Sequence, residues 1–329
     1  MNLRHHAVAA TALTAALTLS ACGGGSSADD GGGGDAAAAG AETISITDAQ
    51  GRSVDVPVDP ETVVVTDWSV IRTLGDLGIE VDAAPTANID LPDDLAAYVD
   101  GDIPTVGTLQ EPDYEAINEL EPDLIIIAGR SGNPEILAEM EKISPVVLDM
   151  SVRYEEPSGQ LTVTEERVVQ LGSIFAKETE AQEQMDEIMA QVEEVGTAAA
   201  ETGDTALFVQ VSGGTASAYG PGSRFGIVYD AFGYADTGAP VDEEGSHGQE
   251  ISQEFFTEFD PDVLLVLDRA AAIGADEAPA LEVLNNDLVN TTSAATNDKI
   301  HVVDGFSWYI ANASPSSLRQ MIADIEATL

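Results

Sequence analysis

Arg130 and Arg269 are the residues whose setting first points to chemistry. Each closes a block that runs from a helical pattern through Pro-Asp into a short aliphatic run, and the two arginines stand 139 residues apart. Residues 115–130 read EAINELEPDLIIIAGR and residues 254–269 read EFFTEFDPDVLLVLDR. In open α/β sheets, ligands bind outside the carboxyl ends of the strands, where both arginines fall. Arg224 adds a third guanidinium, in the Gly/Pro segment Tyr219-Gly220-Pro221-Gly222-Ser223-Arg224-Phe225-Gly226, read here as the loop after the strand at 207–211. Any one of them could equally pair with a nearby carboxylate. Three at strand-end loops favour a shared anion site, because arginine offers oxyanions a rigid planar fork.

Two further side chains could bind a metal or a ligand. His247 lies in the glycine-flanked loop Gly245-Ser246-His247-Gly248, and Tyr309 follows the last apolar strand as part of Trp308-Tyr309. Tyrosine serves as a phenolate ligand to ferric iron in some haem proteins. Tyr309 is either that or an aromatic cap, and Trp308 reads as a buried cap. His301, inside Ile300-His301-Val302-Val303, reads as structural.

The elements that must carry these residues are legible in the aliphatic runs. Val63–Thr66, Leu124–Ala128, Val146–Leu148, Leu207–Val211, Val263–Leu267 and His301–Val303 are short and continuous, as parallel strands buried on both faces are. Helical patterns lie between them, and the matched blocks imply two α/β lobes of similar topology. Pro-Asp at 122–123 and 261–262 turns the chain from helix to strand. Thr162 and Glu165 read as a capping box opening a helix that ends near Lys177. Met185, Ile188, Met189, Val192 and Val195 continue an apolar stripe towards Gly203. A helix of ~25 residues, at ~1.5 Å per residue, could brace two lobes.

The amino terminus carries a separate signal. Met1-Asn2-Leu3-Arg4 precedes an uncharged run from Ala7 to Ala21, which has the layout of a signal peptide and is short for a spanning helix. It ends in Leu19-Ser20-Ala21-Cys22, and Cys22 is the one cysteine of the chain. The Gly/Ala/Ser/Asp-rich stretch that follows, to Ala41, has the composition of a flexible tether. The organisation expected is a signal peptide over 1–21, a linker over 22–42, an N-terminal lobe over 43–160, a connecting helical segment over 161–203 and a C-terminal lobe over 204–329.

Composition removes several classes of function. Twelve basic residues against 59 acidic ones give a formal net charge of −47, the reverse of a nucleic-acid footprint. Such a charge repels anions at long range, so an anion site needs a local basic cluster. One cysteine excludes a disulfide framework, a cysteine-rich zinc site and an iron–sulfur cluster. The Gly loop is G-x-G-x-x-x-G, and G-K-[ST], G-x-S-x-G and H-E-x-x-H are absent, so neither a nucleotide-using nor a hydrolytic enzyme has a positive signal.

From about Ile44 to Leu329 the chain resembles the lipoprotein substrate-binding proteins of bacterial ABC importers for ferric siderophores, in the catecholate-handling branch. The resemblance is carried by VGTLQEPDYEAINELEPDLIIIAGR (106–130), AYGPGSRFG (218–226), GSHGQEIS (245–252), VLLVLDR (263–269) and WYIANAS (308–314), in order behind a sequence like a lipobox. It implies two α/β lobes with parallel central sheets, joined by a single long helix, with the ligand between them. It further implies that Arg130, Arg224 and Arg269 hold catecholate oxygens, with Tyr219 a further ligand contact. His247 and Tyr309 would complete the iron shell of a tetradentate siderophore. Two catecholates supply four oxygens, and ferric iron takes about six hard donors. Glu115 and Glu254 would dock on the ABC permease, which works with its ATPase, and Cys22 would carry the lipid that holds a monomer on the outer face of the cell membrane. No cofactor is expected to be held permanently, since the iron arrives inside its ligand. The chain departs from the family at Ala311-Asn312-Ala313-Ser314, where a glycine pair is common, and Trp68-Ser69 and Arg72 map to no family ligand contact. A binder of haem, cobalamin or a hydroxamate siderophore is the alternative on the same fold, and an exported hydrolase is a more distant one.

Overall fold

The structure, a computed structural model, describes residues 42–99, 101, 103–153, 159–241 and 248–329. Cys22 and His247, with the roles expected of them, lie outside the described residues.

A hairpin of β1 (Thr43–Thr47) and β2 (Ser53–Pro57) opens the chain, with Ile46 and Val56 buried. The N-terminal sheet is parallel throughout, in the order β3 (Val63–Val65), β4 (Leu124–Ile127), β5 (Val147–Asp149). All its strand residues are buried, and the strand pleat explains the unbroken aliphatic runs. Leu124 and Ile126 enter one core, while Ile125 and Ile127 enter the core on the other face. Each such side chain contributes about 1.5–3 kcal/mol by leaving water.

The C-terminal sheet contains β6 (Thr205–Ser212), β7 (Thr215–Tyr219), β8 (Ala235–Asp236), β9 (Gln249–Ile251), β10 (Val263–Asp268) and β11 (Ile300–Val302) among the described residues, in the path β11-β10-β6-β7-β9 with β8 beside β6. β10 again feeds two cores alternately, Val263, Leu265 and Leu267 on one face, Leu264 and Val266 on the other. Its pairings with β6 and β11 are parallel, but β6 turns directly into an antiparallel β7. Gly213 and Gly214, at φ 60° and 78°, make that hairpin. Two consecutive residues at positive φ are what a tight hairpin turn requires. The Gly/Pro loop with Arg224 therefore follows β7, not the strand at 207–211.

The sequence repeat is a structural repeat. The helices Tyr114–Glu119 and Gln253–Phe259 end at Glu121 (φ 49°) and Asp260 (φ 35°), matched left-handed positions in the two blocks. The next acid in each block ties down the neighbouring strand. Asp123 Oδ2 accepts from the Thr62 N–H at 3.0 Å, and Asp262 Oδ2 accepts from the Thr205 N–H at 3.0 Å. The Pro-Asp dipeptide thus stops a helix and also fixes the register at which its strand enters the sheet.

The connecting segment is two helices, Gly159–Ile174 and the 25-residue Glu178–Thr202. Ala176, at φ 53°, makes the break near Lys177. Thr162 lies inside the first helix, which is already formed at Gly159, so the expected capping box does not open it. The long helix buries the expected stripe, Met185, Ile188, Val192 and Val195, in the core it shares with β6, β10 and the C-terminal helix Pro315–Glu326.

Arg72 ties the two parts of the fold together. It sits on the helix Trp68–Asp76, after β3, and its guanidinium donates to Asp94 (2.7 Å), Ser307 Oγ (3.0 Å) and Ser317 Oγ (2.9 Å) while lying over the Phe306 ring. Its role is structural. Among the described residues, no helix is long and apolar enough to cross a membrane.

Candidate ligand site

Tyr309 is the centre of the site. It lies on the one-turn π-helix Phe306–Ile310 that follows β11. Trp308 beside it is buried, its indole N–H held by Asp324 Oδ2 at 2.7 Å, so the neighbouring side chain projects the other way. His301 is likewise bonded to Asp324, at 3.2 Å, and is structural.

Three guanidinium groups surround the Tyr309 ring. Their central carbons lie 5.1 Å (Arg130), 4.9 Å (Arg224) and 5.8 Å (Arg269) from its centroid. Arg269 Nε donates to the phenol oxygen at 3.1 Å, and Arg269 Nη1 donates to Ser212 Oγ at 3.3 Å. Arg130 Nη2 donates to the Tyr309 carbonyl at 3.3 Å. Arg224 also lies over Phe225, 5.1 Å from that centroid. The three sequence-predicted arginines and Tyr309 therefore converge, from β4, β7, β10 and β11, on one point.

The electrostatics ease the loss of the Tyr309 proton. Burial pushes the Tyr309 hydroxyl up, but the Arg269 hydrogen bond and the charges of Arg269 and Arg130 outweigh it and hold the group below the ordinary tyrosine value. A concentration of positive charge in so acidic a chain draws anions into this cleft.

These side chains line a cavity of about 430 Å³. Asp67, Gln110 and Arg167 line it too, though the sequence did not single them out, as do Ser69 and Asn312, which it marked only as departures from the family pattern. Gln110 and Asn312 lie within stretches that carried the family resemblance, and Asp67 follows β3, so the strand-end rule could have found it. Arg167 sits in mid-helix, where no local signal marks it. A second cavity of about 300 Å³ adjoins the first at Gln110, Arg130, Arg269 and Tyr309 and is lined further by Asn88, Ile89, Thr108, Leu109 and Ile273.

Gly129 sets the approach of Arg130. Its φ is 51°, and a methyl group there would stand 2.6 Å from Asp67 Oδ2. Only glycine combines that turn with that closeness.

Tyr219 is placed differently from the expectation. It is 1% exposed, packs edge-on against Phe208 and Phe225, centroids 6.2 and 4.8 Å away, and lies outside the cavity lining, within electrostatic reach of Arg224, Arg269 and Tyr309. Its burial follows from its seat on β7, a paired strand, where a loop had been read. Gly248 packs against its ring. Glu115 and Glu254 are brought to equivalent places, exposed in the first turns of the matched helices Tyr114–Glu119 and Gln253–Phe259, and neither is in the cavity.

Residues 63–305 match the family model of the periplasmic binding proteins. The chain belongs to the periplasmic binding protein family. It is 32% identical over 277 residues to the petrobactin-binding protein YclQ of Bacillus subtilis, covering 82% of this chain and 83% of that one. It is 32% identical over 268 residues to the ferric-anguibactin-binding protein FatB of Vibrio anguillarum, covering 81% of each. Among solved structures it is similar to the periplasmic catecholate-siderophore binding protein VctP of Vibrio cholerae, with a TM-score of 0.79, 33% identity, and 87% of this chain and all of that one covered. Substrate-binding proteins of this family share the α/β architecture with parallel sheets described above.

Proposed function

We propose that this periplasmic binding protein takes up a ferric catecholate siderophore in the cleft at Tyr309 and delivers it to an ABC permease for iron uptake. The observation that carries this reading is the ring of Arg130, Arg224 and Arg269 around one tyrosine with a depressed hydroxyl pKa. Guanidinium groups offset the charge of an anionic complex and donate to its catecholate oxygens. A phenolate is a hard donor suited to ferric iron. The similarity to the petrobactin-, ferric-anguibactin- and catecholate-siderophore-binding proteins YclQ, FatB and VctP supports such a ligand. A tetradentate bis-catecholate is the favoured form, with Tyr309 and His247 completing the iron shell. A neutral hydroxamate complex gives three arginines nothing to neutralise.

The remaining roles belong to the same reading. The protein is a binder and not an enzyme. It works as a monomer, is exported, and is held by lipid at Cys22 on the outer face of the membrane. Glu115 and Glu254 are the paired acids that meet the permease. Cys22→Ser is expected to leave the protein unlipidated and easily washed from membranes; a lipid-modified species in that mutant, seen by mass spectrometry, would overturn the anchor.

The test of the ligand is a fluorescence titration reported by two buried tryptophans, Trp308 next to Tyr309 and Trp68 between the cavity-lining Asp67 and Ser69. Ferric bis-catecholate is expected to quench at the lowest concentration, ahead of tris-catecholate, and well ahead of ferric hydroxamate, ferric citrate and haem. Tightest binding of hydroxamate or haem would overturn the reading.

A further inference from the structure

Asp67 puts a carboxylate beside the arginine clamp. It is 3% exposed and lines the same cavity as Arg130, Arg224, Arg269 and Tyr309. Its Oδ1 caps the helix Trp68–Asp76, accepting from the Ser69 N–H at 2.8 Å and the Val70 N–H at 3.4 Å. Its Oδ2 accepts no hydrogen bond among the described residues and stands over Gly129, next to Arg130 in sequence. Arg130 is close enough to act on it electrostatically, yet no ion pair or hydrogen bond joins the two among the described residues.

Capping does not account for this charge. Asparagine or serine caps a helix as well as aspartate does, without the cost of burying a carboxylate. In a site for anionic complexes, the charge also opposes the ligand it faces. Burial pushes the Asp67 carboxyl above the ordinary aspartate value, opposed by the Ser69 and Val70 donors and the charge of Arg130, and a cationic donor arriving at the open oxygen would complete that compensation.

We infer that Asp67 is a specificity residue that receives a protonated amine carried on the linker of the ferric catecholate, an inference that rests on the ligand class proposed above. The ligand is then two-signed. Its iron centre meets Tyr309 and the guanidinium groups, and its linker ammonium donates to Asp67 Oδ2. The cationic linker lowers the net negative charge that enters a strongly acidic protein, and the carboxylate discriminates against complexes that carry only negative charge.

Two ferric bis-catecholates test it, identical except that a secondary amine in the linker of one is an ether oxygen in the other. Wild type is expected to bind the amine complex about tenfold to a hundredfold more tightly, the scale of one charged hydrogen bond. Asp67→Asn keeps the cap and is expected to bring the ratio close to one, chiefly by weakening the amine complex. Asp67→Ser serves as a second variant should the first melt at a lower temperature. Equal affinities in wild type, or a ratio unchanged in the variants, would overturn the role. Equal losses for both complexes would show that Asp67 acts through Arg130 and would overturn it too. Failure of both complexes to bind wild type would instead remove the ferric-catecholate reading itself.

Discussion

Replacing Arg130, Arg224 and Arg269 together by alanine is expected to cut affinity for ferric catecholates at least about a thousandfold, with secondary structure unchanged. Each single replacement is expected to cost about 1.5–3 kcal/mol, the range for hydrogen bonds to charged groups. The three losses will not simply add, because the guanidinium groups share one aromatic ring and one ligand. Arg269 is expected to cost most, since its Nε also donates to the Tyr309 hydroxyl at 3.1 Å. Arg72→Ala is the contrasting case. Arg72 is a buried arginine engaged with Asp94, Ser307 and Ser317, and its loss should lower the melting temperature. Isothermal titration of the singles and the triple, with circular dichroism as the check on folding, decides the matter. Wild-type affinity in the triple variant would end the clamp model.

Tyr309→Phe is expected to weaken a tetradentate ferric bis-catecholate about a hundredfold, the scale of one lost donor to the metal, and to remove the phenolate-to-iron charge-transfer contribution. A hexadentate tris-catecholate already fills the iron shell and should lose far less. The pH dependence has a definite sign. The Arg269 hydrogen bond and the nearby positive charges outweigh burial and hold the Tyr309 pKa below its ordinary value. Above that depressed value the phenolate is already formed and affinity is flat. Below it a proton must leave before the metal can bind, so affinity falls by up to about tenfold per pH unit as the pH drops. Phenylalanine at 309 should flatten that part of the profile. His247→Ala is expected to change the spectrum differently. Equal losses for the tetradentate and hexadentate complexes would show that Tyr309 only lines the cavity, and coordination would have to be abandoned.

Several features were legible in the residues alone because they are local. The buried strands announce themselves as aliphatic runs, since alternate residues of β4 and β10 feed cores on opposite faces. The repeat was visible because Pro-Asp does the same work twice, stopping a helix and holding the next strand through Asp123 and Asp262. Arg130 and Arg269 could be singled out because the carboxyl ends of such strands lie where ligands bind. The stripe through Met185, Ile188 and Val192 is plain helical periodicity.

Tertiary structure decided the rest. The Gly213-Gly214 hairpin reverses the chain, so the loop that brings Arg224 to Tyr309 follows an antiparallel strand, and Tyr219 is buried at the end of that strand. Thr162 and Glu165 had the spacing of a capping box, but the helix already runs through Gly159 to Leu161, and packing outweighs a local cap. Arg72 maps to no ligand contact in the sequence, and only the fold reveals it as a tie between Asp94 and the serines at 307 and 317. Asp67, Gln110 and Asn312 share a cavity although they lie far apart along the chain. Periodicity and turn chemistry report on a residue's immediate neighbours, whereas a binding site is set by where separate strand ends meet, and that depends on how whole sheets pack and on which side chains the packing leaves facing the cleft.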